Sequence, residues 1–399
     1  MQAQPIEIKI KEAVEQLNKI EQERKKANTQ LENLKLEKIC NDLVAIGLPA
    51  VAPNEQLVKH SAYYLDYAPT FKQARWVAHI ITPDVINGVV FRTNDFRVDS
   101  LVKGGSAEEA DYFTKTLKPD GSFLYDGYGY DRGHLAPSAD FRWSQKALSE
   151  SYYYSNMSPQ LPDFNRGGWG DLEDAIRGYL YKNATTQLYV VTGPVLKEGL
   201  PVITKSKNKV AIPQLYFKVV LDAGQQKAIG FVMPNATITQ PLQYYAVSID
   251  SVEALTGLDF FNKLPLAQQA IFEANSNATD WLPTSNSADV APLPQEQMAK
   301  NHFNTTVAQQ YTKSNNEIYV CGTVVGARLS KAGNILINLD KQFPNQVFTI
   351  FIKKDNIPNF SYNPTDVLKG KIICAKGKVI DLGGTATMYI DSERALSVQ

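Results

Sequence analysis

The stretch YGYDRGHLAPSADF, Tyr128 to Phe141, is where the reading of this chain turns. Only four histidines occur among 399 residues, and one of them, His134, directly follows Asp131-Arg132-Gly133. A histidine between a tyrosine-rich run and a proline is either a satisfied core residue or a base beside an arginine that grips an anion. The segment SNMSPQLPDFNRGGWGDLEDAIRGYL, Ser155 to Leu180, bears on the choice, because Asn165, Trp169, Glu173 and Arg177 recur in it at every fourth residue. Residues so spaced share a helix face. An amide, a carboxylate and a guanidinium then line one side, with the tryptophan packing on the core or walling the site. Gly167, Gly168 and Gly170 lower helix propensity. A helix is therefore predicted from about Asp171, with Asn165 in the turn before it.

Hydrolysis of a phosphodiester fits this set of groups. A neutral imidazole near its pKa is suited to take the proton of an attacking water. The charge that develops on phosphorus oxygens needs cations. Mg2+ is a hard cation that keeps most of its waters and needs few protein oxygens. The Asn165 oxygen suits that role, and Glu173 suits one through water. Arg132 and Arg177 are shaped to fork non-bridging phosphate oxygens. Each residue also has a structural reading. Arg132 and Asp131 would be a surface ion pair, Asn165 a helix cap, and Glu173 with Arg177 a helix pair of about 0.3 kcal/mol. Together, at these spacings, the structural reading requires several coincidences.

The rest of the chain frames this candidate site. Its length favours two domains plus an extension. Lysine and arginine number 41 and so do aspartate and glutamate, so any basic surface is local. Residues 1–50 hold one long helix over 5–47, with apolar or small residues at Ile6, Ile10, Ala13, Leu17, Ile20, Ala27, Leu31 and Leu34 and Arg24 interrupting one position. That is a heptad pattern, read either as a dimerising coiled coil or as a helix lying along its own domain. Gly47 and Pro49 stop it. Residues 55–283 mix strand runs such as RWVAHII, VVF (89–91) and QLYFKVVL with helical stretches at 144–152, 170–183 and 250–262. The absence of regular βαβ alternation makes this α+β. Residues 284–312 read as a linker. Residues 313–399 hold five short strands between turn signals, the pattern of a small closed barrel. Over 313–394, eleven lysines and arginines stand against seven acidic residues. No CxxC pair occurs among Cys40, Cys321 and Cys374, which excludes the usual zinc patterns. Cys321 and Cys374 lie in strand-like runs and are expected as two buried thiols rather than a pair. No apolar run reaches the length of a membrane span, and no apolar export region opens the chain.

With DRGH at 131–134, SNMSPQ at 155–160 and FNRGGWGDLE at 164–173 in view, the chain resembles the DNA/RNA non-specific endonucleases of the ββα-metal, or His-Me finger, superfamily. VVTGP, IPQLYFKVV, FVMPN and TGLDFF extend the resemblance over roughly 57–283. It implies a central antiparallel sheet with a ββα site laid on it. It implies His134 as general base, Asn165 as the one direct protein ligand of Mg2+, with Mn2+ able to substitute, and Glu173 holding metal-bound water. Arg132 and Arg177 would hold phosphate, Asn156 would support the site, and Asp131 would be structural. DNA and RNA would both be substrates. The C-terminal barrel is similar to OB-fold domains, which offer a groove and stacking side chains to single strands.

Two other readings stay open: a catalytically silent nucleic-acid-binding scaffold, and a phosphodiesterase restricted to one nucleic acid or to a small nucleotide. The presence of His134, Asn165 and Glu173 argues against the first. A nuclease of broad range endangers its own genome, so export (secreted or periplasmic) or an inhibitor protein is expected, with the cytoplasm as the alternative. A homodimer through the N-terminal helix is the remaining partner expected.

Overall fold

The computed structural model describes residues 6–50, 53–88, 90, 92–183, 185–282, 289–330, 333–342, 346–382 and 384–399. The chain opens with α1 (Ile6–Ile46). It ends where Gly47 takes a φ of 111°, and a Cβ there would come within 2.6 Å of Asn262. Next come β1 (Gln56–Lys59), β2 (Tyr63–Ala68), β3 (Gln73–Ile81), the hairpin β4 (Phe113–Leu117) and β5 (Phe123–Gly127), β6 (Asp131–His134), α2 (Gln145–Glu150) and β7 (Met157–Gln160). The helices α3 (Pro162–Arg166) and α4 (Gly168–Lys182) follow, then β8 (Leu188–Pro194), β9 (Leu215–Asp222), β10 (Lys227–Pro234), β11 (Ala246–Val247), α5 (Ile249–Thr256) and α6 (Leu266–Glu273).

A seven-stranded sheet in the order β1-β2-β3-β8-β9-β10-β11 forms the centre, every pair antiparallel. Both its faces are covered, which is why its strands read as near-continuous apolar runs. Side chains alternate between faces along a strand. Val77, Val190, Tyr216 and Val220 enter one core with Trp169, Leu172 and Ile176 of α4. Trp76, Val191, Phe217 and Val219 enter the other with Ile39, Cys40 and Leu43 of α1 and with α5 and α6. The fold is thus α+β with a central antiparallel sheet, as expected.

The two halves of α1 have different fates. Its last turns are docked, and Lys35 reaches Asp84 at 2.7 Å. Before them the heptad residues Ile6, Ile10, Leu17, Ile20, Leu31 and Leu34 are exposed. Among the described residues no helix is long and apolar enough to cross a membrane. The strand expected at 89–91 has Val89 and Phe91 outside the described residues.

The C-terminal part begins earlier than the barrel strands foretold. Residues 283–288 of the expected linker lie outside the described residues, but β12 (His302–Asn304) already pairs in parallel with β13 (Glu317–Leu329), and α7 (Thr305–Ala308) packs beside them. Next are β14 (Ile335–Leu339), β15 (Phe348–Ile352), α8 (Pro364–Val367), β16 (Ile372–Leu382), β17 (Thr385–Tyr389) and β18 (Leu396–Val398). The strands β13-β14-β15-β17-β16 close on themselves through the β13–β16 pairing, and β15–β17 is the one parallel contact in that ring. This five-stranded barrel encloses its own core, including Ile337, Ile350 and Met388. Cys321 stands directly opposite Cys374 in the β13–β16 register, Cα atoms 4.0 Å apart, and the two form a disulfide. The expectation of two free thiols is corrected by that register, which adjacent sequence cannot reveal. Cys40 is free and buried.

Candidate active site

Asp131–His134 and Met157–Gln160 pair as a short antiparallel ribbon, His134 opposite Met157, and α3 and α4 follow at once. This is a strand-strand-helix unit laid on one face of the central sheet. Gly133 is a requirement of the ribbon, since a Cβ there would come within 2.1 Å of the Gln160 amide oxygen. Asn156 is fully buried and clamps the loop after His134. Its amide oxygen accepts from the Ala136 N–H at 2.9 Å, and its nitrogen donates to the carbonyls of Ala136 and Ser151 at 2.9 and 2.8 Å.

His134 lies against Tyr152, centroids 4.9 Å apart, and near Phe96. Its Nε2 is buried and has no hydrogen-bond partner among the described residues. Burial first, then the charges of Arg92 and Arg132, holds its pKa well below the ordinary 6.5. An orphaned ring nitrogen is unusual in a folded protein, and here it belongs to a neutral imidazole with two cations, Arg92 and Arg132, near it. Arg132 stacks on Phe96 with its guanidinium carbon 3.6 Å from the ring centroid, and it donates to the Tyr154 hydroxyl at 3.4 Å. The stacking fixes the guanidinium plane, and among the described residues no carboxylate forms an ion pair with it.

Asn165 sits in the last turn of α3, and α4 starts at Gly168. Both differ from the helix start expected near Asp171. Pro162 at the first helical position pre-sets a separate short helix, and Gly167 leaves helical geometry at φ −107°, ψ −121°. The Asn165 amide nitrogen donates to Asp131 Oδ2 at 2.9 Å, and Arg166 binds the same carboxylate through two contacts of 2.7 and 2.6 Å. A carboxylate can only accept, so Asn165 must turn its NH2 to Asp131 and its carbonyl oxygen the other way.

At the start of α4, Trp169 is buried in the core. One turn further Glu173 lies 3.9 Å from the ammonium of Lys218, a buried lysine on β9. Lys218 donates to Thr192 Oγ1 at 2.7 Å and sits 4.8 Å over the Trp169 ring. Burial pushes the Glu173 carboxyl up to about 7, against the pull of Lys218 and Arg177. Burial lowers Lys218 in turn, against the carboxylates of Glu173 and Asp140. Arg177 donates to Asp140 at 2.6 Å and to Asp174, and Asp140 also pairs with the buried His79 at 2.8 Å. Its expected grip on a phosphate would need Asp174 to let go.

Arg92, His79, Asp140, Asp174 and Lys218 belong to this network and were not singled out from sequence. The signal for two of them was present. His79 in RWVAHII and Lys218 in QLYFKVVL are polar interruptions of strands buried on both faces, and such groups need partners. Arg92 carried no such mark. It donates to the Tyr152 hydroxyl at 3.1 Å, beside His134.

Ribbon, helix, orphaned imidazole and flanking arginines define a nuclease of the ββα type. Residues 41–267 match the family model described as DNA/RNA non-specific endonuclease, and the chain belongs to this family. Endonuclease G, mitochondrial, of Bos taurus is 37% identical over 235 residues, spanning 55% of this chain and 72% of that protein. A nuclease of Nostoc sp. is 32% identical over 226 residues, spanning 54% and 76%. A chain in the solved complex of EndoG with EndoGI is 29% identical with a TM-score of 0.47, over 57% of this chain and 94% of that one. The family match ends before the barrel begins.

Proposed function

We propose that this nuclease is a metal-dependent endonuclease that hydrolyses DNA and RNA without regard to sugar or base sequence, with His134 as the general base. The observation that carries the reading is the buried, partnerless Nε2 of a neutral imidazole beside two arginines. His134 takes a proton from a water as it attacks phosphorus. Arg132, and with it Arg92, hold the non-bridging oxygens of the phosphate and balance the charge that grows there. Asn156 keeps the strand carrying His134 in place. Contacts to phosphate carry no base information, which suits a broad range.

The residues present fit Mg2+. The Asn165 carbonyl oxygen is the free end of an amide held by Asp131, and a single hard donor with open surroundings matches an ion that keeps its waters. Glu173 is suited to hold one of those waters, and Lys218 and Arg177 favour its charged form. Bound there, Mg2+ or Mn2+ would neutralise charge on the phosphate as the bond breaks. Arg177 is assigned to the phosphate only if Asp174 yields it; otherwise it orients Asp140 and α4.

We further propose that the exposed heptad face of α1 pairs two copies of the chain. The disulfide in the barrel supports an oxidising compartment. Export would provide one, and relatives named mitochondrial introduce an organelle as a second.

The test is cleavage of supercoiled plasmid and of single-stranded RNA with Mg2+, with EDTA, and with His134→Ala. Loss of both substrates that needs metal and disappears in the variant is the expected result. Degradation of one nucleic acid alone overturns the broad range. No cleavage under any divalent ion overturns the catalytic reading in favour of a binding scaffold.

A further inference from the structure

The hairpin β4–β5 is exposed along its whole length except at Phe113, where it leaves the nuclease domain. Its turn is local chemistry. Gly121 takes a φ of 79° and donates to the Lys118 carbonyl at 3.0 Å, and Asp120 accepts from the Ser122 N–H at 2.9 Å. In the register Phe113↔Gly127, Lys115↔Tyr125 and Leu117↔Phe123 these residues share one side of the ribbon. That side is apolar and open: Leu117 is 63% exposed, Phe123 46% and Tyr125 55%. An exposed apolar patch of this kind marks a binding surface. Its rings continue a row that starts at the candidate base. Phe96 lies 5.8 Å from His134, and the Arg132 guanidinium lies 3.6 Å over Phe96 and 5.0 Å over Phe113. Phe113 meets Tyr125 edge-on at 5.3 Å, and Phe123 follows at 6.4 Å. Charge does not mark this face. Lys115 and Lys118 are balanced by Asp120 and Asp126, and Lys115 has Glu109 at 3.6 Å while Asp126 has Lys205 at 3.7 Å.

We propose that the side of this hairpin carrying Phe113, Tyr125 and Phe123 stacks unpaired bases that flank the scissile phosphate, so that single strands are preferred to duplex. The proposal rests on the nuclease reading and names the substrate class of that same site. Three arguments carry it. The first is continuity: Arg132, assigned there to phosphate, lies over Phe113, so a strand held at Arg132 has its next bases beside the hairpin. The second is chemistry. With its charges balanced, the face offers flat apolar area, and every base has a flat face that stacks on an aromatic ring whatever the sequence. The third is reach. Strand geometry puts Leu117 about 13 Å from Phe113, room for more than one base. In a duplex the faces of each base are already covered by its neighbours, so the hairpin gains little from it.

The experiment measures binding by anisotropy, in EDTA and with the full chain, of three fluorescent probes of equal length: an oligothymidylate, a duplex, and an abasic strand that keeps the phosphates without the bases. Cleavage of plasmid and oligothymidylate with Mg2+ is followed in parallel, and mass by light scattering. Wild type is expected to bind the oligothymidylate more tightly than the duplex. Tyr125→Ala should weaken oligothymidylate binding about 5- to 100-fold, and Tyr125→Phe should restore it. Phe123→Leu, which keeps apolar bulk without a ring, should weaken it too. Affinity for the abasic strand and the slope of affinity against salt should hold in these variants, because no phosphate contact is lost. Unchanged oligothymidylate affinity in Tyr125→Ala and Phe123→Leu, or equal losses on the thymidylate and abasic strands, overturns the stacking face. A fall in mass in Tyr125→Ala with oligothymidylate affinity intact also overturns it, and gives the face to a second copy of the chain. A wild type that binds as expected but cleaves neither nucleic acid overturns the nuclease reading and leaves the stacking face standing.

Discussion

On the proposed reading of Asn165 as a metal ligand, Asp131→Ala should leave it poorly placed without unfolding the protein. Asp131 accepts from Asn165 at 2.9 Å and from Arg166 at 2.7 and 2.6 Å. The Arg166 side chain is 71% exposed, so its ion pair contributes at most about 1 kcal/mol. The expected loss of stability is therefore about 1 kcal/mol, or a Tm lower by roughly 2–4 °C in a domain of this size. The effect on function is larger. Without Asp131 the Asn165 amide is free to rotate and to offer its NH2 where an oxygen is needed. Losing a group that orients a metal ligand typically costs about 10- to 100-fold in metal affinity or activity, which is about 1.4–2.8 kcal/mol. The assay is the initial rate of plasmid cleavage across a Mg2+ titration. Half-saturation should rise about 10- to 100-fold, while the rate at saturating Mg2+ recovers much of its wild-type value. Asp131→Asn, which keeps an acceptor oxygen for Asn165, should lie in between. A rate that falls uniformly at every Mg2+ concentration, with half-saturation unmoved, would refute the link from Asp131 through Asn165 to the metal.

Three further outcomes are expected. Because His134 is held below 6.5 by burial, Arg92 and Arg132, it is neutral at pH 7 and the acid limb of kcat/KM falls below 6.5. Arg132→Ala removes a positive charge, raises the histidine and moves that limb to higher pH; a limb that stays in place assigns it to another group. The same shift acts on stability, since the unfolded chain takes up a proton near 6.5 and the folded one does not, so the contribution is full above that pH and is lost as pH falls below it. Replacing Cys321 and Cys374 together with serine should destabilise the barrel by up to about 4 kcal/mol for a closed loop of 53 residues, read as a lower melting transition of that part alone. Removing residues 1–34 should halve the mass seen by light scattering and leave the docked turns at Leu36–Leu43 in place; an unchanged mass rules out the helix as the dimer contact.

How much of this was legible beforehand depends on the range of the interaction concerned. His134, Asn165 and Glu173 were visible because a short ribbon and two short helices carry them, and within such elements spacing sets position. The long helix, its stop at Gly47 and the barrel strands were legible for the same reason: periods of 3.6 and 2 are written into consecutive residues. α4 starts before Asp171 because Pro162 nucleates a separate turn around Asn165 and the low helix propensity of Gly168 and Gly170 yields to the burial of Trp169 against the sheet. The fate of Arg177 was invisible, since Asp140 lies 37 residues away and meets it only when α4 packs on the sheet.

The sequence by itself determined the chemical inventory: an imidazole, an amide, a carboxylate and arginines, on elements whose local pattern is self-sufficient. Tertiary structure alone decided their environment. The sheet register sets Lys218 beside Thr192, and the packing of α4 on that face brings Lys218 within reach of Glu173. The β13–β16 register sets Cys321 against Cys374, and the β15–β17 register sets Phe351 beside Tyr389. The physical reason is that register and packing are fixed by burying apolar faces from distant parts of the chain. A polar group's pKa and partners follow from where that burial leaves it.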